Sequence, residues 1–196
     1  MLGPSSGEHT NRKWIALAVA GGIAILVVVL GVSRYNALVS KREGVDSSWA
    51  QVQNVLQRRA DLIPNLVATV KGYAAHEKEI FEHLADARAK LAGAKTPAEA
   101  TAASSAVDSA LSRLLVVVEN YPQLKADQAF IHLQDELAGT ENRISVERMR
   151  YNDIVRDYNQ TIKTFPSSLF AGMFGFSAKD YFQADAAAKH VPEVKF

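Results

Sequence analysis

The stretch WIALAVAGGIAILVVVLGVS, residues 14–33, carries no charge and lies between Arg12-Lys13 and Arg34. At a rise of about 1.5 Å per residue, a helix of this length crosses the roughly 30 Å hydrocarbon core of a bilayer. A helix also satisfies its own backbone hydrogen bonds there, as a lipid-exposed segment must. No later stretch is comparably apolar. The sequence therefore predicts a transmembrane helix at residues 14–33 and a single-pass membrane protein.

A cleaved secretory signal peptide is the alternative, because Arg12-Lys13 supplies the basic flank that such peptides have. Their apolar cores run about 7 to 15 residues and end in a small-residue cleavage motif. Here the apolar run is longer and continues through Arg34 into helical sequence, which favours an uncleaved anchor. Basic residues lie on both sides of the span, but the flank before it resembles a signal anchor, so we expect the domain after Arg34 to be exported.

Composition limits what the rest of the chain does. The 163 residues after the span suit one compact domain. A net charge of +1 gives no basic field for phosphate, so nucleic acid is not an expected partner. The absence of cysteine excludes thiol catalysis, disulfides and cysteine-ligated metals. We expect a polar leader at 1–13, the span at 14–33, a helical bundle at 34–166 and an aromatic tail at 167–196.

Helical periodicity runs through most of this domain. Leu38, Val45 and Val52 recur at steps of seven, which predicts a first long amphipathic helix after the span. Pro64 predicts its end, because an interior proline kinks or breaks a helix. Gly93 is a plausible stop for a second helix at 65–91. Arg42 and Arg59 interrupt the apolar seam, which indicates a bundle face and not a long coiled coil.

Two more helices are predicted. Thr96-Pro97-Ala98-Glu99 has a capping residue, a first-turn proline and a glutamate three residues after the cap, all typical of a helix start. This third helix runs from residue 98 to about 118, and a fourth runs over 124–164. The fold class is therefore all-α: an N-terminal transmembrane helix, then an antiparallel, up-down-up-down four-helix bundle with an aromatic C-terminal tail.

The predicted helix corner is a candidate binding site, because it combines a kink with polar and apolar side chains. A plain helix–helix corner, with Asp61 and Asn65 capping helix ends and Arg58 pairing with Asp61, is the alternative that we expect, because such capping is common. The candidate residues are Arg58, Arg59, Asp61, Pro64 and Asn65.

The tail is a candidate partner or oligomer interface, because large apolar groups crowd a weakly charged stretch that rarely stays in water. It has three possible settings: its own bundle, the lipid interface, or a neighbouring subunit. If it is an assembly interface, alanine at Phe174, Phe176 and Phe182 weakens assembly. The candidate residues are Leu169, Phe170, Met173, Phe174, Phe176, Tyr181 and Phe182.

The search for reaction chemistry finds no catalytic, cofactor or metal site. His76 and His83 are seven residues apart, and Ile80 occupies the second ligand position that a His-Glu-x-x-His zinc helix needs. His76, Glu79 and His83 could form a metal site or a solvated charged face. Their spacing specifies a ligand set only loosely, which favours the solvated face. The sequence predicts neither a metal nor a cofactor, and no enzyme activity.

Several segments resemble the LemA family of bacterial membrane proteins, in the family's order from Arg34 to the end of the chain. The resemblance implies an N-terminal span followed by an antiparallel helical bundle, without established enzymatic activity. It also implies relatives linked to membrane remodelling in magnetosome formation, and neighbours that include membrane proteases. The segments are YNALV at 35–39, RRADLIPNLV at 58–67, VKGY at 70–73, YPQLKA at 121–126, ENRI at 141–144, RYN at 150–152, DYN at 157–159, FP at 165–166 and YF at 181–182.

These observations predict a non-enzymatic scaffold or adaptor in the bacterial inner membrane, with its bundle on the periplasmic side. The expected partners are the bilayer, further copies of the chain, and a membrane protease or other envelope protein. The alternative is an accessory subunit that regulates a membrane protease or another membrane enzyme. A scaffold forms a large homomer alone, whereas a regulator stays small until its enzyme is present.

Overall fold

The computed structural model describes residues 7–183, and this part of the chain is helical with no strand. The predicted all-α class is confirmed at this level. Residues 1–6 of the predicted leader and 184–196 of the predicted tail lie outside the described residues. The helices are α1 Gly7–Lys71, α2 Lys78–Gly93, α3 Pro97–Val118, α4 Pro122–Lys125, α5 Gln128–Lys163 and α6 Ser167–Phe174.

The chain divides into two compact units. Of the described residues, 7–43 and 158–178 form the anchor unit, and 44–157 and 179–183 form the core unit. Helix α1 contributes to both units, as does α5. The predicted tail contributes to both as well, since residues 167–178 belong to the anchor unit and residues 179–183 to the core unit.

The anchor unit contains the apolar stretch of α1. Within Trp14–Lys71 an 18-residue window reaches a mean hydropathy of 2.9, and none of that window is buried inside the protein. Among the described residues a second helix has spanning length and composition, Pro97–Val118, with a mean hydropathy of 1.3 and a buried face that includes Val107 and Leu114. Packing therefore accounts for α3, but it does not account for the N-terminal stretch.

The predicted helix end at Pro64 is wrong, because α1 continues through Pro64 to Lys71. Proline lacks the N–H that would bond to the carbonyl oxygen four residues earlier, here that of Ala60. The Nε–H of Arg88, on α2, donates to this oxygen at 3.0 Å and replaces the lost bond. The first part of the predicted second helix consequently belongs to α1, and the chain turns at 72–77 instead.

Local capping sets two of the later helix starts. The predicted capping box of α3 is confirmed: Thr96 Oγ1 accepts from the Glu99 N–H, and Glu99 Oε2 accepts from the Thr96 N–H, both at 3.2 Å. The predicted fourth helix is two helices, because the Asp127 carboxylate accepts from the N–H groups of Ala129 and Phe130 and starts α5 there. The hydroxyl of Tyr73 donates to the same carboxylate at 2.7 Å, which lowers the pKa of Asp127.

The core unit is built on the predicted apolar seam of α1, which is confirmed as a buried face. Val45 and Val52 are fully buried there, and α2 packs against α3 alongside. Facing positions on α3 and α5 complete the interior. Its buried apolar residues include Leu56, Leu66, Leu84, Val107, Leu114, Phe130, Ile144 and Val155.

Candidate partner surfaces and the tail

A groove lies beside Pro64, between the end of α1 and α2. Its volume is about 700 Å³, and its floor is mostly apolar. The ammonium of Lys71 stands 5.2 Å from the centre of the Phe81 ring, a cation–π distance. Three cations and one carboxylate border the groove, so its rim is basic. The lining residues are Ile63, Pro64, Val67, Ala68, Lys71, Ala75, Lys78, Phe81, Glu82, Ala85 and Arg88.

Arg59 is a buried cation in the core unit, with only 3% of its side chain exposed. Its guanidinium donates to Asp108 on α3 at 2.5 Å and to Glu141 on α5 at 2.6 Å. The two carboxylates are half exposed, at 52% and 46%. Within the described part of the chain the Arg59 Nε–H has no hydrogen-bond partner. One arginine thus joins three helices through two ion pairs.

The five residues of the predicted corner therefore have separate roles. Pro64 lines the groove and Arg59 forms the buried cluster, while Arg58 donates to Glu136 at 2.8 Å and lowers the pKa of that carboxyl. The expected Arg58–Asp61 pair is wrong, since Asp61 accepts from Gln57 at 2.8 Å.

The expected capping by Asp61 and Asn65 is also wrong, because both residues lie inside α1. The Asn65 carbonyl accepts from the Thr69 hydroxyl within that helix. Whether any of these five residues binds a partner stays a prediction.

Residues 179–183 of the tail are held on the core unit by Phe182, which is 2% exposed. Its ring packs edge-on against Trp49, with centroids 6.0 Å apart. The Asn152 side chain donates to the Phe182 carbonyl and accepts from its N–H, both at 2.9 Å. A side-chain amide that makes both bonds satisfies the backbone N–H and C=O of residue 182 as a neighbouring strand would.

Tyr151 strengthens the attachment of this segment. Its hydroxyl donates to the Asp180 carbonyl at 2.9 Å. Burial, together with the negative charges of Asp180 and Asp46, raises the pKa of Tyr151 to about 12. The phenol therefore stays protonated at neutral pH and remains a donor. Lys179 adds an ion pair to Asp46 at 2.8 Å.

The first half of the tail belongs to the anchor unit. The Phe174 and Phe176 rings meet Tyr35 edge-on, with centroids 5.0 and 5.8 Å apart. The Arg42 guanidinium stands 5.5 Å from the centre of the Phe176 ring. By contrast, Leu169 and Met173 are largely exposed. The seven candidate tail residues are thus partly packed on their own chain and partly open.

Sequence reasoning missed several residues that determine this arrangement. Asp108, Glu141 and Arg88 look like ordinary surface charges of amphipathic helices, and their partners are far away in sequence. Asn152 offered one signal, because Arg150-Tyr151-Asn152 repeats Arg34-Tyr35-Asn36. That repeat does not reveal that the amide holds the tail backbone.

The histidine pair has an ordinary surface setting. His83 Nε2 lies 3.5 Å from Glu79, and both side chains are more than half exposed. Across residues 7–183 no three histidine or carboxylate side chains come together as a metal site would require.

The sequence model of the LemA family matches residues 48–196, which covers most of the core unit and the whole tail. The chain belongs to the LemA family. The resemblance seen in the sequence is thereby confirmed.

Curated relatives span most of this chain. The magnetosome protein MamQ of Magnetospirillum gryphiswaldense is 28% identical over 207 residues, covering 92% of this chain and 75% of its own length. The magnetosome protein MamQ 2 of Paramagnetospirillum magneticum gives the same identity and coverage. Protein LemA of Metamycoplasma hominis is 26% identical over 157 residues, covering 78% of this chain and 70% of its own. The similarity to MamQ thus extends over nearly the whole chain.

Proposed function

We propose that this LemA family member is a non-enzymatic scaffold or adaptor of the bacterial inner membrane, which assembles with itself at the membrane. The observation that supports this most strongly is the 18-residue apolar window of α1, none of which is buried within the protein. Such a surface is unfavourable in water and matches the thickness of a bilayer. In this proposal, residues 14–33 cross the membrane once and the bundle lies on the periplasmic side.

The finer architecture in this proposal is an antiparallel four-helix bundle. Contacts within the core unit support opposite directions for α1 and α5. The Trp49 and Tyr151 rings are 5.4 Å apart, and Arg58 pairs with Glu136 at 2.8 Å. Residue numbers rise along α1 as their partners' numbers fall along α5, which is the pattern of an antiparallel helix pair.

The names of the relatives fit a structural role. MamQ is named for the magnetosome, and neither its name nor that of Protein LemA refers to an enzyme. From MamQ we transfer only a place in a larger cellular structure. A scaffold needs a fixed position and surfaces for partners, and it needs no catalytic group.

Self-assembly predicts a defined homomer for the full-length protein extracted in mild detergent. Light scattering should give a protein mass of several chains that persists on dilution, and particle imaging should show a closed ring or cage. A protein mass of one chain in several detergents would contradict the scaffold proposal.

A pair of span variants makes this measurement more informative. Gly22→Leu and Ala24→Leu add the same side chain on nearly opposite sides of the span, since two residues rotate a helix by about 200°. A lower mass for one variant alone would show that the span contributes a specific helix–helix contact. If both variants have the mass of the parent, the contact lies outside these two faces of the span.

An accessory subunit of a membrane protease or another membrane enzyme is the second candidate, and the groove beside Pro64 favours it. An apolar floor with a basic rim complements an apolar protein segment that carries carboxylates. Ala85 lies in the groove, whereas Ala89 is exposed on the same helix and does not line it. These two positions provide a matched test.

For a groove that binds a partner enzyme, Ala85→Glu is expected to weaken binding at least tenfold, because the new carboxylate opposes both the apolar contact and the charge complementarity. Ala89→Glu should bind as the parent does. The measurement is titration of each detergent-extracted variant with the purified enzyme that copurifies from native membranes. Equal affinities for the two variants would exclude the groove as the docking site.

A further inference from the structure

Helix α6 is an uncharged helix whose exposed side is apolar. Its sequence, SSLFAGMF, buries Ser167 and Ala171 within the anchor unit. Leu169 and Met173 face outward, 61% and 73% exposed, and Phe165 just before the helix is exposed as well. A contiguous group of this kind is unusual on a surface that faces only water.

Helix α6 packs against α1 at Gly31 within the anchor unit. A Cβ atom built on Gly31 would lie 3.3 Å from Cε1 of Phe170, so any larger residue at this position would require the ring to shift by a few tenths of an ångström. Gly31 is in the last turn of the apolar stretch, three residues before Arg34. Helix α6 therefore packs at the end of the apolar stretch that borders Arg34.

The residues around α6 are of the types that are enriched where a helix leaves the hydrocarbon core of a membrane. Tyr35 follows directly on Arg34 and packs against Phe174 at a centroid distance of 5.0 Å. Tyrosine rings are enriched at this depth, because one end is apolar and the other is polar. Arg42 stands over the Phe176 ring, one turn or more farther from the span. Outward from the apolar span, cationic and aromatic side chains thus lie together, as Arg34 and Tyr35 and then as Arg42 and Phe176.

We propose that α6 is a second membrane-binding element, lying in the interface of the bilayer with Leu169 and Met173 in contact with lipid acyl chains. This proposal rests on the anchoring of residues 14–33 in the membrane. The occupant is lipid because α6 packs against the span at Gly31, so its exposed apolar residues lie beside a segment that the proposed function places in lipid. An uncharged helix there has no ionised side chain to desolvate, so insertion is favoured by its apolar area.

The absence of cysteine allows single spin labels to be placed cleanly. We would label Leu169→Cys and Met173→Cys in the full-length protein, reconstituted in vesicles of phosphatidylethanolamine and phosphatidylglycerol. Met149→Cys, on α5 in the core unit, is the matched control, since Met149 is also an outward-facing methionine at 63% exposure. Leu30→Cys reports the span itself. Relaxation of each label by oxygen and by a water-soluble nickel complex then measures its depth.

The expected result is that labels at 169 and 173 resemble the label at 30, with an oxygen-to-nickel accessibility ratio several-fold above that at 149. A ratio at 169 and 173 equal to that at 149, with a high ratio at 30, overturns the α6 proposal and leaves the anchor intact. A third outcome is that the labels at 169 and 173 are shielded from both reagents and that their spectra are broadened by spin–spin coupling. This outcome shows that a second copy of the chain packs on α6, and it also overturns the α6 proposal. A low ratio at 30 overturns the membrane anchoring of the proposed function itself.

Discussion

Replacing both Asp108 and Glu141 by alanine is expected to lower the free energy of unfolding by about 3 kcal/mol, the lower end of the cost of an uncompensated buried charge. The Arg59 side chain is 3% exposed and would lose both of its ion-pair partners. The value lies at the low end because the carboxylates are half exposed, so water already reaches one side of the cluster. Urea unfolding of the detergent-extracted protein, followed by helical circular dichroism, measures the change.

The matched control removes the cation instead of the anions. Arg59→Met keeps an unbranched side chain in the same space, and the Asp108 and Glu141 carboxylates can then turn to water. The variant should therefore lower the free energy of unfolding by less than about 1 kcal/mol. Adding Arg59→Met to the double alanine variant should restore most of the lost stability. If the double alanine variant is as stable as the parent, the ion pairs do not compensate the burial of Arg59.

This cluster shows where sequence reasoning ends. Arg59 breaks the seven-residue pattern of α1, and the sequence alone describes it as an interruption. Its partners lie 49 and 82 residues away, and no local spacing relates them to it. Whether an off-pattern cation is exposed or paired inside depends on tertiary packing, which the period of one helix does not encode.

At Pro64, too, the outcome depends on a residue that is distant in sequence. The rule that an interior proline ends a helix assumes that the freed carbonyl finds no other donor. Here Arg88 supplies one from α2, 28 residues later in the chain. The helix continues because a tertiary hydrogen bond replaces a local one, and the turn moves to 72–77.

Features with local causes were predictable. The capping box of α3 needs only Thr96, Pro97 and Glu99, and it forms as expected. The apolar stretch of α1 is identified by composition alone, and the buried seam through Val45 and Val52 follows from its spacing. The division of the tail between two units was not predictable, because each half is held by residues distant in sequence.

Phe182→Ala is expected to lower the free energy of unfolding by about 3 to 5 kcal/mol, the range for truncating a buried phenylalanine. The ring is 2% exposed, lies against Trp49 and is covered by the Arg148 guanidinium at 5.9 Å. Removing the ring leaves a cavity and weakens the attachment of the residue 182 backbone, which is hydrogen-bonded to the Asn152 side chain. The same urea unfolding experiment measures the loss.

Phe174→Ala is the control, since it removes the same side chain eight positions earlier, where the ring is half exposed. Its expected cost is about 1 kcal/mol, the value of its aromatic contact with Tyr35. Similar losses for the two variants would contradict the division of the tail into a buried and an open part. The difference also bears on tests of assembly: a mass change in Phe182→Ala would report unfolding of the core unit, whereas exposed Leu169 and Met173 probe the outer surface alone.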